Sequence, residues 1–240
     1  MKNMILAVSA VSAVAASANA GFQGFVASVR DVGSYTVIDI FAGVTNQSDK
    51  FLNAYDMTIS TTVAGGFYQE AGVATKTWKP DTSNFTSTRN SLDSFMTAGT
   101  FSEAGVNYAS TSTNGDPNFN GTSWNATLGS AAATTVPANA GWYTGNPPST
   151  DNNAETLAGL VGRVNGTGGS TSSWGIWISH IVLAGNGRTL GTDVTYSGFA
   201  SAKDGLSGGV SQGASAFPVP APGAVALLGL AGFAARRRRA

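Results

Sequence analysis

The sequence predicts an all-β protein, a single β-sandwich of jelly-roll or immunoglobulin-like kind with roughly eight to ten strands. Three observations carry that expectation. Residues 35–45 (YTVIDIFAGVT) and 174–184 (WGIWISHIVLA) are long runs rich in β-branched and aromatic residues. Clusters of Gly, Asn, Ser, Thr and Pro separate such runs at intervals of about 10–15 residues, a strand-and-turn rhythm. No run between the two chain ends shows the 3.6-residue period of a helix.

Taken in order, residues 22–30 read as a first strand, closed by the turn Asp31-Val32-Gly33-Ser34. In 35–45 the alternation places Thr36, Ile38, Ile40, Ala42 and Val44 on the core face, and Tyr35, Val37, Asp39, Phe41 and Gly43 on the other. Asn46-Gln47-Ser48-Asp49 turns the chain into 51–63, and these two runs are expected to form an antiparallel pair. From 64 to 156 only short apolar pieces appear, among them Phe67-Tyr68, 92–96 and Trp142-Tyr143. Regularity returns at 156–165, 174–184 and 194–200. The Gly/Ser-rich stretch 203–217 reads as a flexible linker. The expected organisation is therefore a leader over 1–20, a sandwich over 21–202, the linker over 203–217 and a tail over 218–240.

Composition narrows the class. Thirteen Lys and Arg balance thirteen Asp and Glu, but five of the cations lie in the two terminal segments. That leaves eight cations against thirteen acids, about −5 for the central part, which argues against nucleic acid as a partner. Only 11% of residues are charged, so the surface must be covered by Thr, Ser and Asn. The absence of cysteine excludes a disulfide framework and thiolate chemistry, and a single histidine excludes the usual zinc sites. Stability must come from a core, and roughly 195 residues suffice for one.

The two ends read as sorting signals. Lys2, the apolar run 4–16 and Ala18-Asn19-Ala20 have the form of a signal peptide cleaved after Ala20 by signal peptidase, with Ala18 and Ala20 as the recognised small residues. At the other end Val219-Pro220-Ala221-Pro222 precedes an apolar run over 223–235 and then Arg236, Arg237, Arg238 and Arg239. The run is short for a robust transmembrane helix, and the arginines are held on the cytoplasmic side. This tail resembles the PEP-CTERM signal of Gram-negative bacteria in the Val-Pro-x-Pro form common among planctomycetes, with Ala221 where the commonest form carries Glu. The resemblance implies an exosortase-like membrane enzyme that recognises Val219, Pro220, Pro222 and the arginines, and removes the tail. It also implies a destination at the cell surface or outside the cell, after a transient inner-membrane stage.

Candidate chemistry in the central part is sparse. His180 lies in the strand 174–184, where Trp174, Ile176, Ile178, His180 and Val182 are expected to share a face. A lone histidine on such a strand reads as a hydrogen-bonded residue of the half-core. Gly209-Val210-Ser211-Gln212-Gly213 matches a nucleophile elbow in letters only, because no helix is expected after it and the histidine precedes it. Asp116-Pro117-Asn118-Phe119-Asn120-Gly121 matches the opening of a calcium loop, with Asp116, Asn118 and Asn120 as ligands. Its twelfth position is Thr127 instead of a bidentate Glu, so a plain surface turn is the simpler reading. Trp78 and Trp124, set in polar loops, are the candidate platforms for stacking on sugar rings, whereas Trp174 reads as core.

No catalytic constellation emerges. The leading expectation is a non-enzymatic surface or extracellular-matrix protein associated with exopolysaccharide. The alternative is a carbohydrate-binding sandwich module, with calcium as its only conceivable cofactor. A third, an exported hydrolase, would rest on His180 with an Asp and a Ser.

Overall fold

The computed structural model describes residues 21–69, 78–79, 89–99, 111–119, 133–145, 154–167 and 172–217. Trp124, Asn120 and the terminal segments 1–20 and 218–240 lie outside them. All regular structure among the described residues is β, eleven strands in two antiparallel sheets packed face to face.

The six-stranded sheet holds β1 (Phe22–Val32), β2 (Tyr35–Val44), β4 (Phe95–Met96), β7 (Glu155–Thr156), β8 (Val164–Asn165) and β9 (Trp174–Ala184). Its order is β4-β9-β2-β1-β8, with β7 also on β9. The five-stranded sheet holds β3 (Lys50–Thr61), β5 (Thr111–Ser112), β6 (Ala140–Thr144), β10 (Val194–Lys203) and β11 (Val210–Phe217), in the order β11-β10-β3-β6-β5. Ile38, Ile40, Ala42 and Val44 from one sheet and Phe51, Ala54, Met57, Ile59 and Tyr196 from the other join one buried core. The face expected to be core in residues 35–45 joins this core, and the opposite face is buried as well, with Phe41 in a second apolar cluster beside Val26, Phe95, Leu157 and Trp177.

Two expectations are corrected. Residues 50–61 do not pair with 35–44. β2 lies between β1 and β9, while β3 crosses to the opposite sheet and pairs with β10 and β6. The turn over 46–49 is an inter-sheet corner, held by the buried Asp49. Its Oδ2 accepts from Thr45 Oγ1 and from the Asn46 amide, both at 3.0 Å, and its Oδ1 accepts from the Gly205 amide at 3.1 Å.

The second correction concerns 203–217, which is no linker. β11 pairs with β10 over the whole run from Tyr196↔Phe217 to Lys203↔Val210. Its small residues close the open side of the sandwich. Ser211 Oγ accepts from the Phe22 amide at 2.6 Å, and Ser215 Oγ accepts from the Phe25 amide at 2.9 Å while donating to Thr167 O at 2.7 Å. Hydroxyls on short side chains let β1 and β11 of different sheets approach closely enough to bond. The same Gly/Ser composition that resembles a flexible chain is here the requirement of a tight seam.

Candidate functional site

His180 is the natural place to begin. β2 and β9 lose register between Ile40 and Phe41, which pair with Ser179 and Trp177, so Ile178 is the extra residue of a bulge. Beyond it the parity of β9 reverses. Ile176 and Ile178 enter the main core, then Ile181 and Leu183 do, while Trp177 and His180 share the outer face. The expected common face of Ile178 and His180 is thereby corrected.

On that outer face the imidazole is fully buried. It stacks on Phe95 (4.9 Å, 21°) and meets the edge of Trp177 (5.5 Å, 89°). Nδ1 lies 2.6 Å from Asp39 Oδ1, and Nε2 lies 3.0 Å from the carbonyl oxygen of Ser91 and 3.4 Å from its hydroxyl. Arg30 approaches the second oxygen of Asp39 at 2.5 Å and also donates to Asn90 Oδ1 and Arg89 O. Arg89 lies over the rings of Phe41 and Trp177 and pairs with Glu155. Burial pushes the Glu155 carboxyl above its ordinary range, against the downward pull of Arg89.

The order Asp39, His180, Ser91 has the outline of a hydrolytic triad, but the hydrogen bonds run the wrong way. A carbonyl oxygen only accepts, so Nε2 must carry a hydrogen to meet Ser91 O, and a protonated Nε2 takes no proton from the Ser91 hydroxyl. What the cluster does is clamp the segment 89–96 onto the six-stranded sheet. Arg30 and His180 grip its backbone, and Asp39 bonds both of them, Arg30 through Oδ2 and His180 through Oδ1.

The other sequence candidates fall as follows. Trp78 is buried, edge-on to Phe67 at 5.4 Å, so its ring is unavailable for stacking on a sugar. Asp116 Oδ1 accepts from the amides of Asn118 (2.8 Å) and Phe119 (2.6 Å), a side-chain-capped turn that drives Phe119 into the core. The Asn118 amide group donates to Asn139 O at 3.2 Å. Among the described residues no group of three or more His, Asp or Glu is placed to hold a metal. Ser211 of the G-x-S-x-G match is a seam residue on β11.

A different surface stands out, one that the sequence reading did not single out. It is the outer face of the five-stranded sheet. Phe199 and Tyr55 are register partners and stack (5.4 Å, 17°), with Phe199 37% exposed. The next rung across the sheet is Gln212, Ser201, Asn53 and Tyr143. Tyr55 Oη donates to Gln212 Oε1 at 3.3 Å, Ser201 donates to Asn53 Oδ1, and Tyr143 Oη donates to Asn114 O at 3.1 Å. The backbone builds this arrangement at a bulge. Gly198 takes φ +150° and Asp56 takes φ +51° where Ser197 and Phe199 lose register with β3. A side chain at 198 would meet Met57 and the carbonyl of Asp56, so glycine is required there.

One end of this face opens into a groove of about 530 Å³ lined by Ser48, Lys50, Lys203, Asp204, Leu206 and their neighbours. It adjoins a shallow depression of about 610 Å³ at Asn46, Gln47, Trp174 and Leu206. Trp174 is half-buried, packed against the main core with part of its surface on this depression, while Leu206 is 79% exposed on a turn that Asp204 caps. The only sequence signal for this surface is the alternation of polar and aromatic residues on the solvent side of 51–61 and 194–203.

Fold and site together define the class: a two-sheet antiparallel sandwich with one locked ionic cluster and one aromatic and amide-bearing sheet face. No family model, no curated protein and no solved structure matches this chain.

Proposed function

We propose that this chain is an exported, non-enzymatic surface or extracellular-matrix protein that associates with exopolysaccharide through the outer face of its five-stranded sheet. One observation carries the reading: the Tyr55–Phe199 stack lies among Asn53, Ser201, Gln212 and Tyr143, side chains that hydrogen-bond without charge. Aromatic rings with amides and hydroxyls around them suit a pyranose, whose C–H faces are apolar and whose rim is all hydroxyl. Delivery to the surface rests on the tail, Val219-Pro220-Ala221-Pro222 with residues 236–239, read by an exosortase-like enzyme.

The test is retention on a panel of immobilised polysaccharides by the wild-type chain and by Tyr55→Ala/Phe199→Ala. The double variant should lose roughly tenfold in affinity, the scale of losing about 1.4 kcal/mol of aromatic contact. Undiminished retention would place the contact elsewhere. The hydrolase reading is disfavoured by the protonated Nε2 that the Ser91 carbonyl requires.

A further inference from the structure

We infer that the groove at the end of the five-stranded sheet takes a carboxylated sugar, so that the polysaccharide bound is an acidic, uronate-bearing one. The inference rests on the polysaccharide reading above and adds to it the chemistry of the ligand.

Lys203 of β10 and Lys50 of β3 are direct cross-strand partners, and both line the groove. Like charges directly opposite each other on neighbouring strands destabilise a sheet. The chain tolerates this juxtaposition although its central part carries a net charge of about −5 and offers acids enough to separate the lysines. Two carboxylates stand near, and both are engaged by the loops. Asp204 Oδ1 accepts from the amides of Leu206 (2.6 Å) and Ser207 (3.0 Å), and Asp49 is fully buried in the 46–49 corner. Lys50 has other contacts within the protein, and both lysines line the groove.

Position gives the rest. Along β10 the outward residues are Phe199, Ser201 and Lys203, and their partners on β3 are Tyr55, Asn53 and Lys50. The aromatic rung and the lysine rung are therefore four residues apart, roughly 13 Å along the strand, with a hydroxyl and amide rung between. A polysaccharide laid along this direction meets a stacking platform, then hydrogen-bonding groups, then paired ammonium groups. A neutral glycan has nothing to offer the last rung. A uronate carboxylate does, through charge-assisted hydrogen bonds to the two ammonium groups. The platform is rigid where this matters, because Asp49 ties the 46–49 corner to Gly205 of the facing turn.

Affinity electrophoresis of the full-length chain tests the inference, in gels holding polygalacturonate, its carboxyl-reduced counterpart, or polyglutamate. The expected result is retardation by polygalacturonate, weaker by roughly tenfold for the carboxyl-reduced polymer and for Lys50→Gln/Lys203→Gln. Lys50→Arg/Lys203→Arg should retain binding, and circular dichroism should show both double variants folded. Equal binding of the reduced polymer, or an unchanged Gln double variant, overturns the carboxylate inference and leaves the polysaccharide reading standing. Equal or stronger retardation by polyglutamate overturns it in favour of an acidic peptide. No retardation by either polysaccharide overturns both readings.

Discussion

A buried imidazole with acceptors at both nitrogens is a structural device before it is a chemical one. His180 holds Asp39 and the Ser91 carbonyl while Arg30 grips the same carboxylate, so the four groups satisfy one another away from water. His180→Ala should therefore cost about 3–5 kcal/mol in urea unfolding, because it empties the space against Phe95 and Trp177 and leaves Asp39 Oδ1 and the Ser91 carbonyl without their partner, although Arg30 still pairs with Asp39. Ser91→Ala should cost less than about 1 kcal/mol, since the backbone oxygen that binds Nε2 stays. A fluorophosphonate probe that labelled Ser91 in the folded wild type would contradict this assignment.

The loop carboxylates supply a pH dependence of definite sign. Asp204 is held below its ordinary value of 3.8 by the amides of Ser207 and Leu206, and Asp31 and Asp193 are lowered by the amides of Gly187 and Thr189. A carboxyl whose folded value is depressed stabilises the fold above its unfolded value, and that contribution is lost as pH falls through the folded value. Asp204→Asn keeps an acceptor for the turn but does not titrate. Its stability deficit against wild type, measured by thermal unfolding, should be largest near pH 6 and shrink towards zero below about pH 3.8. A deficit independent of pH would show that the turn does not draw on the charge.

The core face of β2 could be read from sequence because apolar residues recur at every second position and one face of a strand must be buried. The partner of β3 could not be read that way. A short polar turn says that the chain reverses, but a sandwich uses the same kind of turn within a sheet and between sheets, and only Asp49 bonding Gly205 decides for the second. The β9 bulge is hidden for a related reason. Inserting one residue leaves the composition of 174–184 unchanged and inverts the facing of everything after Ile178.

Gly and Ser on β11 conceal a strand, because composition cannot distinguish a residue chosen for flexibility from one chosen for close approach. A chain ending at residue 217 should unfold cooperatively in urea, whereas one ending at 202 should not. It would lose β11, the buried Phe217 and the seam serines, and it would leave β10 as an unprotected edge. Cooperative unfolding of the shorter chain would restore the linker reading.

At the scale of the whole molecule, destination and fold are expected to be separable. The last described strand ends at Phe217, one residue before the tail begins, so the tail can be altered without removing a described strand. Replacing residues 236–239 with serine should leave circular dichroism of the sandwich unchanged while the protein no longer reaches the cell surface, measured by fractionation. On the proposed reading the arginines orient the apolar run 223–235 and leave the described sandwich untouched. Unaltered surface delivery of the serine variant would refute the role of the tail.

What the sequence by itself determined is the class of structure: an all-β sandwich, the residues of 35–44 that join the main core and a hydrogen-bonded histidine. These follow from local quantities, since residue type and two-residue periodicity act on each strand independently of its neighbours. Tertiary structure alone decided that Trp78 lies in the core, that Trp174 reaches a surface depression, and that Asp39, His180 and Ser91 converge. It also decided that Tyr55 meets Phe199 and that Lys50 faces Lys203, residues some 150 positions apart. Their proximity depends on which strands pair and in what register, and that is set by the packing of the whole core and not by any segment of the chain.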